Sequence, residues 1–184
     1  MILWTTQDKR VLKQIQSKGV YRARLDSILN KYDNCSEVFL NVYKWFSKEA
    51  EKVVPKPEGV EFPVWVAFEK EFSFGLTECQ VRFELEVDSS NVITFDSGKW
   101  DYILNYWYIP KDKADETEYE KKLQSYGIKN KSLIYMGNFY PLLKREVENS
   151  WIRLFDPSIV ISNIYQATLW EIRAEWIKNI TYGK

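Results

Sequence analysis

The period-two run Val81, Phe83, Leu85 and Val87, alternating with Arg82, Glu84 and Glu86, constrains the fold more than any other segment of the chain. Successive side chains of a strand point to opposite faces, so this segment belongs in a sheet with one face on an apolar core and the other in water. Residues 92–95 are expected as its neighbour, joined through Asp88-Ser-Ser-Asn91, whose small polar side chains suit a tight connection. Two further strands are expected, a β-branched and aromatic opening at residues 2–5 and an apolar run at 62–68 with an interior place in its sheet.

Helical periodicity fills the remainder. Thr6 is placed to cap a helix whose Val11, Leu12 and Ile15 share one face before Gly19 stops it. From Ser36, the residues Phe39, Val42, Tyr43, Phe46, Ala50 and Val53 recur at helical spacing until Pro55 and Pro57. Asp96-Ser-Gly98 offers a cap for a short helix carrying Trp100 and Ile103. Asp115 and Glu118 have the spacing of a capping box for a helix bearing Tyr119 and Leu123, and Leu143, Val147, Trp151 and Leu154 mark another that closes at Asp156-Pro157. Residues 164–172 read as a strand and those after it as a short helix, with the first and last strands meeting in one sheet. No linker or internal repeat interrupts the 184 residues, so the reading is a single α+β domain with a mixed or antiparallel sheet and helices packed around it.

Composition bounds the chemistry. There is no histidine, which removes the commonest metal ligand and the usual general base near neutral pH, and with them Ser/His/Asp hydrolases and Cys/His proteases. Lys+Arg and Asp+Glu both number 26, and this balance argues against a nucleic-acid track. The lysines at 121, 122, 129 and 131 read as a solvated helix end. Cys35 and Cys79 show no CxxC spacing and suit a reduced, cytoplasmic protein. The opening turns polar at Thr5 before any signal-peptide core can form, and no run reaches membrane-spanning length. P-loop, Rossmann and zincin motifs are absent.

Two features could carry chemistry. Eight tryptophans are present, and Trp4, Trp65, Trp100, Tyr106 and Trp107 stand near strand ends or helix starts, where a flat ligand could be sandwiched; as core, they would bury their rings and give their N–H groups to partners. The pairs Glu69/Glu71 and Glu84/Glu86 read as solvated strand faces, whereas Glu171 sits in an aromatic segment where a buried carboxylate needs partners. On a helix, Glu171 and Glu175 would instead share an exposed face.

The residues Leu3-Trp4-Thr5-Thr6-Gln7, Gly19, Pro63-Val64-Trp65, Phe83-Glu84-Leu85-Glu86-Val87, Trp100, Leu104-Asn105, Ser150-Trp151 through Phe155-Asp156, and Gln166-Ala167-Thr168-Leu169-Trp170-Glu171 resemble a bacterial domain-of-unknown-function family over nearly the whole chain. More distantly, a first strand, a helix ending at glycine, and a closing strand bearing Gln-Ala-x resemble ADP-ribosyltransferases that use NAD. In that likeness Trp4 stands where a histidine would hold the nicotinamide ribose, and Thr168 where a glutamate would polarise its hydroxyl. The likeness implies NAD as substrate, with Trp4, Thr5 and Trp65 shaping its pocket and Glu171 as the catalytic candidate. The competing expectation is a non-catalytic module that presents exposed aromatics to a protein partner in a bacterial stress or phage-conflict system.

Overall fold

The computed structural model describes residues 1–25, 36–73 and 75–183, so Cys35 lies outside the described residues. The chain divides into two compact units, one formed by residues 1–94 and 166–184 and the other by residues 95–165.

In the first unit, β1 (Ile2–Asp8) and β8 (Ile177–Tyr182) flank β4 (Gln80–Glu86), both antiparallel to it. The period-two alternation puts Val81, Phe83 and Leu85 at 0% exposure. Helix α1 (Lys9–Lys18) contributes Val11, Leu12 and Ile15 to the same core, and each such Leu or Phe side chain removed from water stabilises by about 1.5–3 kcal/mol. Gly19 ends α1 in the left-handed conformation (φ 74°), its N–H donating to the Ile15 carbonyl at 2.8 Å. The N-cap is Asp8 and not Thr6: β1 runs on past Thr5, and the Asp8 carboxylate accepts from the Arg10 N–H at 2.8 Å. Thr6 instead donates to the Ser73 carbonyl.

Strand β2 (Val20–Tyr21) pairs with β7 (Ile172–Arg173). Helix α2 (Ser36–Ala50) turns Val42, Tyr43 and Phe46 inward. The run at 62–68 yields only β3 (Val64–Val66), which pairs with β6 (Tyr165–Leu169) at one end of the order β3-β6-β5, β5 being Ile93–Asp96. The interior place expected for β3 is supplied in part by an isolated bridge, Trp4 and Ala67 exchanging N–H···O bonds of 2.9 and 2.7 Å.

Three expectations are corrected here. Strand β5 does not neighbour β4, because Asp88-Ser-Ser-Asn91 winds into a 3₁₀ turn held by the Asp88 carboxylate rather than a hairpin, and β1 and β8 take both edges of β4. The segment after residue 172 is not a helix: one 3₁₀ turn at Ala174–Trp176 leads into β8, a partly exposed edge strand whose register against β4 skips Lys178, so that Ile177 and Ile180 pair with Leu85 and Phe83. The strand that shares a sheet with β1, across β4, is β8; the expected meeting of the opening strand with residues 164–172 does not occur, since β6 lies with β3 and β5, and β7 with β2.

The second unit is mainly helical, with α3 (Ser97–Leu104), α4 (Lys113–Ser125), α5 (Leu133–Met136), α6 (Pro141–Ser150) and a 3₁₀ extension at Trp151–Phe155. Asp96 caps α3 as expected, accepting from the Gly98 N–H at 2.7 Å. The cap of α4 is Asp112, which accepts from the Asp115 N–H at 2.8 Å. Asp115 is thus inside the helix, where its carboxylate takes hydrogen bonds from Tyr108 and the Lys111 N–H and pairs with Arg153 at 3.0 Å. Lys122 and Lys131 of the basic cluster are likewise paired, with Glu146 and Glu120.

Candidate functional site

Three of the four residues singled out by sequence converge on strand β3. Thr5, 3% exposed, donates its hydroxyl to the Trp65 carbonyl at 2.8 Å and accepts from Gln7 Nε2 at 2.7 Å. Trp4 is joined to the same strand through Ala67. On the opposite edge of β3, Trp65 is in register with Thr168 of β6. The opening Trp4-Thr5 segment and the closing Gln166-Ala167-Thr168 segment, far apart in the chain, are thereby brought to the two sides of one short strand.

The ring of Trp65 is half-buried, 5.8 Å edge-on from Tyr43 and 5.6 Å from Phe46 of α2. Its packing belongs to the core side of the sequence reading. Trp170 is also core, 3% exposed with Nε1 donating to the Val54 carbonyl at 2.8 Å. In the second unit Trp100 is buried against Phe95, while Trp107 is exposed.

Thr168 is fully buried, and among the described residues its hydroxyl has no hydrogen-bond partner. A buried hydroxyl without a partner costs about 1–3 kcal/mol in desolvation. Thr168→Val, which exchanges that hydroxyl for a methyl of similar shape, is therefore expected to stabilise the chain by about 1 kcal/mol in urea unfolding. A loss of stability would show that the hydroxyl has a partner in solution.

Glu171 lies apart from this junction in its bonding. It precedes β7 by one residue as Arg22 follows β2, so the antiparallel register Val20↔Arg173 and Tyr21↔Ile172 continues to bring Arg22 opposite Glu171. Arg22 Nε donates to one carboxylate oxygen at 2.9 Å, and Arg173 Nε to the other at 2.7 Å. Arg22 also donates to the Glu58 carbonyl at 2.9 Å, and the Arg173 guanidinium lies 5.1 Å over the Trp176 ring. The carboxylate is 4% exposed, whereas Glu175 is well exposed, so the two glutamates do not form the shared helical face. A buried carboxylate with charged partners on both oxygens has its hydrogen-bonding needs met by the protein itself.

Arg22 has a second neighbourhood. It lines a hollow of about 290 Å³ together with Gln14 and Lys18 of α1, Arg24, Gly59 and Glu61. Gly59 has a positive φ of 75°, and a side chain added there would approach Arg22 Nη1 at 3.8 Å. Three cations face one carboxylate in this wall. Nothing local in the sequence marks Arg22 or Arg173, because an arginine's partner depends on pairing between distant segments.

Among the described residues no cluster of three or more His, Cys, Asp and Glu side chains suited to a metal is present, and no helix is long and apolar enough to cross a membrane. Cys79 is an exposed free thiol.

Fold and site together define an α+β protein built on small antiparallel sheets, whose opening and closing motifs meet across one short strand. The family model described as a domain of unknown function (DUF3841) matches residues 2–178, and the chain belongs to that family. No curated protein and no solved structure matches it.

Proposed function

We propose that this chain is a nucleotide-binding domain of ADP-ribosyltransferase-like arrangement, which holds NAD or a related nucleotide without transferring its ADP-ribose. The observation that supports this reading is the junction at Trp65, where Thr5 bonds its carbonyl and Thr168 pairs with it, since the resemblance rests on an opening and a closing motif and both segments border this one strand. The cationic hollow of Lys18, Arg22 and Arg24 supplies charge suited to a nucleotide diphosphate. Transfer would need a carboxylate free to hydrogen-bond the ribose and stabilise the oxocarbenium-like centre as nicotinamide leaves. Glu171 is the carboxylate that such a step would use, and its oxygens are already occupied by Arg22 and Arg173. Trp4 and Thr168 also replace the histidine and glutamate of the pattern. This combination favours binding over turnover.

Thermal unfolding with NAD at a hundredfold excess over its dissociation constant tests the reading: ligand binding to the folded state alone adds about 2.7 kcal/mol and raises the midpoint by roughly 5–10 °C. Nicotinamide release is expected to be absent in the same samples. An unshifted midpoint would overturn nucleotide binding, and nicotinamide release would overturn the absence of transfer.

A second reading, a protein-interaction module, is favoured by one feature of the second unit. Phe139, Leu142 and Leu133, within and between α5 and α6, are 88%, 78% and 50% exposed. Exposed large apolar side chains close in sequence are a common basis for protein contacts. It is the reading to pursue if NAD leaves the midpoint unmoved.

A further inference from the structure

One face of α2 departs from the apolar pattern that builds the rest of that helix. Lys44, Ser47 and Lys48, followed by Glu51 just past its end, recur at three and four residues and so share one side. They line an open, solvent-facing hollow of about 440 Å³, bordered by Lys56, Val60, Glu61 and Phe62. Lys56 is paired with Glu51 at 3.1 Å and stands 5.7 Å over the Trp170 ring, which fixes one cation at the rim. Lys44 and Lys48 are exposed, and among the described residues neither has a carboxylate within ion-pair distance.

Ser47 is the independent sign that this hollow receives something. It is 4% exposed, it lines the hollow, and among the described residues its hydroxyl has no hydrogen-bond partner. In a helix interior a serine hydroxyl ordinarily returns to a carbonyl of the preceding turn, so an orphaned one is costly unless a ligand or water completes it. Two ammonium groups unpaired among the described residues and a spare hydroxyl donor match the needs of a phosphate group, while Lys56 balances Glu51 and leaves Glu61 as the one other charge of the wall.

We propose that this hollow is a phosphate-binding site for a small phosphorylated ligand, with Lys44 and Lys48 supplying charge and Ser47 donating its hydroxyl. The site is separate from the Arg22 hollow and does not rest on the NAD reading, although Glu61 stands in the wall of both. Glu61 there accepts from the Leu25 N–H at 3.0 Å.

Calorimetric titration of the full chain with inorganic phosphate and with pyrophosphate, at constant ionic strength, tests the assignment. Saturable binding is expected, tighter for pyrophosphate. The Lys44→Ala/Lys48→Ala pair should weaken it at least about tenfold, and Ser47→Ala several-fold, which corresponds to about 1.4 kcal/mol and somewhat less than that. Lys52→Ala, one turn away and paired with Glu49, should leave it unchanged and serves as the control for general surface charge. Because both lysines are exposed, the double variant should fold as the parent does, which circular dichroism checks. Absence of saturable binding, or equal weakening by Lys52→Ala, would overturn the site. Unchanged affinity in Ser47→Ala would overturn the hydroxyl's role. NAD binding without phosphate binding would remove this proposal alone, and phosphate binding without NAD binding would remove only the nucleotide reading.

Discussion

Replacing Asp96 by alanine is expected to destabilise the chain by about 3–5 kcal/mol, the largest effect predicted for any single polar side chain here. Asp96 is 3% exposed, and its carboxylate collects four hydrogen bonds. One oxygen accepts from the Gly98 N–H and the Ser162 hydroxyl, both at 2.7 Å. The other accepts from the Ile161 and Ser162 N–H groups at 2.7 and 2.8 Å. The cap of α3 and the loop at 161–162 thus depend on the same anion, and alanine strands several donors at once. Asp96→Ser separates the two roles: it keeps a cap acceptor for Gly98 and abandons the loop, so it should recover about 1 kcal/mol of the loss. Urea unfolding at pH 7 measures the effect, with amide exchange at Ile161 and Ser162 as the local report.

The same carboxylate sets a pH dependence. Burial pushes its pKa up, but the hydrogen bonds from Ser162, Ile161 and Gly98 outweigh burial and hold it below the ordinary aspartate value. A folded pKa below the unfolded one gives stability that is complete above the unfolded value, near 3.9, and is lost as pH falls through the folded value. The gap between wild type and Asp96→Asn should therefore narrow below about pH 4. A gap that stays constant down to pH 2.5 would mean that the anion is not what the donors recognise, a threshold that follows from the roughly 3.9 reference value.

Asp96 was legible in the sequence as a helix cap, because Asp-Ser-Gly is a local signal; its bonds to residues 161–162 were not, because they join segments far apart in the chain. The same division runs through the molecule. The β4 alternation, the α1 face and its glycine stop, and the inward face of α2 are repeats within single segments, and each appears where its period places it. Pairing between segments is where expectation and structure part: β4 takes β1 and β8 as partners, and β5 takes a place in the sheet of β3 and β6. Strand β8 is not distinct from a helix in the sequence, because Ile177 and Ile180 fit a helical spacing as well as a strand whose register against β4 shifts between Glu84 and Leu85. At the site, Trp4 and Trp65 stand out as aromatics near strand ends and Thr5 through the resemblance alone, but only the register of β3 against β6 brings Thr168 to them. The need of Glu171 for partners was readable from its apolar context, while the identity of those partners was fixed by the pairing of β2 with β7.

Removal of the Glu171 carboxylate is expected to cost about 3 kcal/mol, since Glu171→Ala leaves Arg22 and Arg173 facing one another across the end of the β2–β7 pair without the anion that separates them. The cost is placed at the lower end for a buried ion pair because the two guanidiniums are 39% and 45% exposed and regain water. Glu171→Gln keeps an acceptor for one guanidinium and loses the charge, so about half of that penalty should remain. A double-mutant cycle with Arg22→Ala isolates the pair, and a coupling of about 1–2 kcal/mol is expected between residues in direct contact. The cycle also decides what the carboxylate is for. As a positioning residue that holds Arg22 at the wall of its hollow, Glu171 should lower the NAD-induced rise in unfolding midpoint when mutated to alanine, and Arg22→Ala should lower it equally. As a catalytic carboxylate it would instead leave that rise intact in Glu171→Gln, with nicotinamide released by the wild-type chain and not by the variant, and this second pattern would overturn binding without transfer.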